Sequence, residues 1–128
     1  GSIDQRAHAR AISTEMLGGF MPLRSECPMN MARKHGAIDV SDDVRGDVAR
    51  IEQIWSECLA ASGGPFLFGA FCNADAMYAP VVNRMEIYLL SDHPAVAAYS
   101  TAMKALPAWQ EWEAAGCAEP WIYPEDEA

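Results

Sequence analysis

The chain has 128 residues, 51% apolar and 21% charged, the size and make-up of one globular domain around a single core. Its longest unbroken apolar stretch, Pro65 to Cys72, is far short of the roughly 18 residues of a membrane span, and with no basic-then-apolar leader the expectation is a cytoplasmic chain. Residues 1–50 are electrically neutral, whereas from residue 51 onward only Arg84 and Lys104 stand against eleven carboxylates, so this part carries the whole net charge of −9. Nucleic acid and anionic membrane both demand a basic footprint and are excluded as partners on that ground. The cysteines at 27, 58, 72 and 117 form no Cys-x-x-Cys pair, and His8, His35 and His93 are equally scattered. No metal site is expected, and the thiols read as reduced and mostly buried.

Gly1 and Ser2 read as a cloning scar, set apart from a helical domain over residues 3–117 and a tail over 118–128. Asp4 has the residue type of a helix cap, and Ile12, Met16, Phe20 and Leu23 recur at helical spacing. Gly18, Gly19 and Pro22 predict a kink or break in that run. Met29 to Val40 has no period and reads as an irregular connection. Ser41 caps a second helix, with Asp42 and Asp43 favourably placed in its first turn and Val44, Val48, Ile51, Trp55 and Leu59 along one face. Ser62-Gly63-Gly64-Pro65 ends it. Phe66 to Phe71 is apolar enough for a strand but has no partner strand. Asp75 to Leu90 reads as a third, central helix, apolar nearly all round, with a bend at Pro80. Asp92 and Pro94 open a fourth helix, and Pro107 opens a fifth that Gly116 ends. The sum is an all-α bundle of about five helices.

The run Gly69-Ala70-Phe71-Cys72-Asn73-Ala74-Asp75-Ala76-Met77-Tyr78-Ala79-Pro80 resembles the folding motif of the glutathione S-transferase C-terminal domain, where an N-capping box opens the core helix. Cys72 stands where that family usually has Ser or Thr. A thiol is a poor acceptor, so the box is weakened or Asn73 takes part of the cap's role, with Asp75 as the other box member. Thr14-Glu15-Met16-Leu17-Gly18-Gly19-Phe20, followed by Cys27-Pro28-Met29-Asn30, is similar to the first helix of that domain in a bacterial branch. Asp92-His93-Pro94-Ala95-Val96 and Leu106-Pro107-Ala108-Trp109 look like its last helical pair.

The resemblance implies a partner domain, thioredoxin-like and N-terminal, that binds the co-substrate glutathione and activates its thiol. No βαβ pattern for it precedes Asp4, so the chain is expected to be the inactive helical half of a homodimeric transferase for small apolar electrophiles, without a catalytic residue of its own. Carried over by position, the electrophile site would be lined by Ser13, Met16, Leu17, Tyr78 and Trp121. Plain core packing competes for Met16, Leu17 and Tyr78, and Glu15 and Arg24 are candidates for polar contacts to a second subunit or to the partner domain. The alternative is a non-catalytic helical module that uses the same scaffold for protein association.

Overall fold

The computed structural model describes residues 1–124 and Glu127. Six helices and no strand occur among the described residues: α1 (Ile3–Gly18), α2 (Met21–Glu26), α3 (Asp42–Ser62), α4 (Asn73–Ile87), α5 (Pro94–Lys104) and α6 (Pro107–Ala118). None is long and apolar enough to cross a membrane.

The all-α expectation holds, and the sixth helix comes from the break at Gly18–Pro22. The Gly19 N–H closes α1 on the Glu15 carbonyl at 2.8 Å, and Phe20 takes a left-handed conformation (φ 55°), uncommon for a bulky residue. What holds it there is burial, for Ile12, Met16, Phe20 and Leu23 all enter the core. The short α2 has no side-chain cap from Phe20. Instead Asp47 of α3 accepts the Leu23 N–H at 3.1 Å, supplying the missing cap and docking α2 on α3. At the start of α1 the cap is Ser2, reciprocated by Gln5, and Asp4 lies in the first turn. A hydroxyl three residues before an amide side chain closes a full capping box, which Asp4 cannot do from inside the helix.

Helix α3 matches the sequence pattern. Ser41 Oγ accepts the Val44 N–H at 3.3 Å and donates to Glu26, and Gly63 caps the other end at φ 78°, a conformation cheap only for glycine. Residues 66–71 form a turn with one isolated bridge between Phe66 and Gly69 and no strand. Helix α6 runs past Gly116 to Ala118. Gly116 lies against Met31, where a Cβ would approach the Met31 side chain to 3.0 Å, so its use is close packing, not termination.

Helix α4 is the hub. It packs on α1 and α5, α3 packs on α2 and α5, and α6 is carried by α5. The Trp55 ring of α3 meets Tyr78 of α4 at 5.9 Å and Tyr99 of α5 at 4.7 Å between centroids, edge-on geometries that add to the burial of all three. Asp75 is fully buried at the start of α4. Its Oδ1 accepts the Leu67 N–H at 3.0 Å and the Tyr99 hydroxyl at 2.9 Å, and its Oδ2 accepts the Cys72 N–H at 2.8 Å. Burial first, and the neighbouring carboxylate second, hold the Tyr99 phenol far above its usual range, so it stays a donor.

Asp75→Ala strips the acceptor from three donors at once. It is expected to lower stability by about 3 kcal/mol or more, since each buried unsatisfied donor costs about 1–3 kcal/mol. Cys72→Ser, which puts a better acceptor at the cap, is expected to raise it by about 0.5–1 kcal/mol. Urea unfolding followed by far-UV circular dichroism measures both.

Candidate functional site

Helix α1 presents two stripes. One, from Ile12 to Met16, enters the core. The other, Arg6, Ala9, Arg10, Ser13 and Thr14, recurs every three to four residues and forms one wall of a cleft of about 570 Å³ whose other wall is the start of α4, from Cys72 to Met77. The buried Asp75 box fixes where that second wall stands. Cys72 N–H reaches Asp75 Oδ2, while the return arm is the weak approach of a sulfur to the Asp75 N–H, which the Cys72 carbonyl also holds at 3.0 Å. Asn73 is the first residue of α4, exposed on the cleft rim, and its side chain takes no part in the cap.

The five residues carried over as electrophile contacts do not meet in one place. Ser13 lines the α1–α4 cleft. Met16 is in the core. Leu17 is 67% exposed, one turn beyond the cleft. Tyr78 is fully buried, its hydroxyl donating to the Ile12 carbonyl at 2.9 Å. Trp121 stands on the tail, 72% exposed, beside a separate cavity of about 610 Å³ bordered by Met31, Trp112, Gly116 and Tyr123. The tail is tied there by Asn30 Nδ2 donating to Glu127 Oε1 at 2.9 Å, and the acidic residues 125 and 126 lie outside the described residues. A third, apolar groove of about 300 Å³ runs between α4 and α6, walled by Phe71, Pro80, Leu106, Trp109 and Trp112.

Residue-type reasoning passed over Arg6 and Arg10, which a helical wheel drawn with Ser13 places on one face. It also passed over Asn83 and Arg84, both buried. Their signal was present: in a helix apolar nearly all round, the remaining polar side chains have no solvent face to occupy. Arg84 Nε donates to the Cys27 carbonyl at 2.8 Å and Nη1 to the Pro80 carbonyl at 3.3 Å, and burial lowers its pKa.

Glu15 and Arg50 form a two-pronged ion pair at 2.7 and 3.0 Å between α1 and α3, and Arg24 Nη1 donates to the Leu17 carbonyl. Both contacts are within the chain. The hydrogen bond from Arg50 holds the Glu15 carboxyl below its usual value. That depression gives stability present above the unfolded pKa and lost as pH falls through the lower folded one. Glu15→Gln is therefore expected to cost about 0.5–1 kcal/mol at pH 7, as for a partly exposed pair. The difference from the parent chain shrinks as pH drops below the ordinary value of 4.5, which urea unfolding at pH 7 and in acid measures.

No group of three or more His, Cys, Asp or Glu among the described residues is arranged to hold a metal ion. Burial, reinforced by Glu26 and Glu57 respectively, pushes the Cys27 and Cys58 thiols up to about 11; burial also raises half-buried Cys72. Cys117 is exposed. Titration with a disulfide reagent at pH 8 is expected to give one fast thiol (Cys117), one slow thiol (Cys72) and two that respond only in denaturant. Two or more fast thiols would contradict these burials.

Comparison with family models, with curated proteins and with solved structures gives no match for this chain.

Proposed function

We propose that the chain is the C-terminal helical domain of a glutathione transferase, forming one wall of the electrophile pocket and part of a homodimer interface, while an N-terminal thioredoxin-like domain binds and activates glutathione. The observation that carries this reading is the Asp75 box. A buried carboxylate opens the central helix, caps it, and gathers the preceding glycine loop, all within the run of residues 69–80 on which the resemblance rests. The cleft beside it supports a binding role: burial raises the pKa of its Cys72 thiol, and on this reading the reactive thiolate is that of glutathione on the partner domain.

The reading as a non-catalytic module draws on a different observation. Trp121, Ile122 and Tyr123 are exposed on the tail, and a separate apolar groove lies open between Phe71 and Trp112, a combination suited to holding another protein.

Two measurements separate these readings. The coding sequence immediately upstream of Ile3 is expected to encode a thioredoxin-like segment in the same frame. The two-domain protein is expected to conjugate glutathione to an aryl halide, and the 128-residue chain is expected to give no rate above the uncatalysed one. A start codon at Ile3, or conjugation by this chain alone, overturns the proposal.

A further inference from the structure

We propose that the cavity between α3 and the end of α4 takes short apolar peptides of about three residues, with the peptide carboxylate at Arg45 and its amine at Glu52. The cavity holds about 340 Å³ and has no residue of α1 in its walls, a size at the lower end of small-ligand pockets. Ile38 and Val40 of the irregular connection form one apolar side, and Leu89 and Leu90, just past α4, form another. Among the described residues, Arg45 and Glu52 of α3 are the charged ones that line it. Seven positions apart, they lie on one face of the helix two turns from each other, roughly 10 Å along its axis. A cation and a carboxylate thus stand at opposite ends of an apolar trough.

Both groups are held at the rim. Arg45 Nη2 donates to the Val40 carbonyl at 3.3 Å, and Glu52 Oε1 accepts the Ser91 hydroxyl. The ion pair of Arg45 with Asp42, at 3.7 Å, joins two largely exposed side chains that water screens, so a ligand carboxylate can take Asp42's place. A single amino acid carries both charges on one carbon and cannot reach both ends, whereas three extended residues span about 10 Å. Leu89 is an independent observation at the same cavity. It is left-handed at φ 53° and 58% exposed, so the fold bears a backbone conformation cheaper for glycine together with an apolar side chain left in water. Strain kept at an exposed position beside a cavity points to function, since packing does not repay it; an apolar peptide side chain seated against Leu89 does.

The test titrates the peptide Ala-Leu-Ala into the isotopically labelled chain, followed by amide NMR, beside its N-acetyl and its C-terminal amide forms. The free peptide is expected to shift the amides of Ile38, Val40, Leu89 and Leu90 and to bind several-fold more tightly than either blocked form, the loss of one charge-assisted hydrogen bond in each case. R45Q is expected to weaken the free peptide about fivefold and leave the C-terminal amide form unchanged. E52Q is expected to weaken the free peptide similarly and leave the N-acetyl form unchanged. L89G is expected to raise the urea midpoint of the chain while weakening the peptide about threefold, opposite signs that a purely structural Leu89 would not give. Absence of shifts at those amides, equal loss for free and blocked peptides in either charge variant, or unchanged peptide affinity in L89G overturns the proposal.

Discussion

The carboxylate of Asp75 is the constraint on which the rest of this bundle depends. An ionised group fully inside a protein is costly unless its oxygens are satisfied, and here three donors from three places in the chain converge on it. Cys72 belongs to the cap, Leu67 to the preceding turn, and Tyr99 to α5. The helix start adds the favourable field of its unpaired amides. The cost of burying the charge is thus recovered only when the loop, the helix start and α5 are all in register. Half-formed arrangements leave the anion exposed to a low-dielectric interior, so the group specifies one arrangement as well as stabilising it.

The same logic repeats along α4 and its C-cap. Tyr78 donates to the Ile12 carbonyl in α1, Arg84 to the Cys27 carbonyl at the end of α2, and the Tyr88 hydroxyl to the Pro28 carbonyl at 2.7 Å. Each buries an apolar or long-stemmed body and donates its polar tip to a backbone carbonyl of an earlier segment. The targets all lie in residues 12–28. Helix α4 therefore organises the first part of the chain by hydrogen bonds to its backbone, and packs on α5 through side chains and through Lys104–Glu86. Arg33 extends the pattern, lying 4.5 Å from the Tyr88 ring centroid and donating to the Gly36 carbonyl, which tethers the irregular 29–40 connection to the end of the hub.

What the sequence made legible was whatever local chemistry decides. Ser41 and Gly63 bound α3 because a hydroxyl and a glycine are the ordinary solutions at those two ends, and the apolar spacing of α1 and α3 gives their buried faces directly. The end of α4 was not legible, because its terminator is unusual. The Leu90 N–H returns to the Met85 carbonyl and the Leu89 N–H to Glu86, with Leu89 left-handed at φ 53°. This is a Schellman closure with leucine in the position glycine usually fills, so the pattern reads three residues too long. The break before α2 was legible in Gly18, Gly19 and Pro22, but its cap was not, being supplied by Asp47 from another helix. The cleft was half legible: Ser13 and the Cys72–Asp75 segment were identified, while Met16, Leu17, Tyr78 and Trp121 fall in the core, in solvent or beside another cavity. Helical spacing gives a face but not its neighbour, and only the packing of α1 on α4 tells which face meets a wall and which meets water.

The distribution of chemically capable groups bears on what such a bundle can do. Its buried thiols and phenols are driven toward their neutral forms, and the one fully buried carboxylate among the described residues has its oxygens committed to three donors. General acid–base or nucleophilic work needs a group poised near neutrality and open to a substrate, and these groups are neither. On the proposed function, the part left to a scaffold whose interior is fixed this firmly is to hold and orient a ligand at its surface. Under the proposed reading, it holds that ligand for a nucleophile delivered from elsewhere.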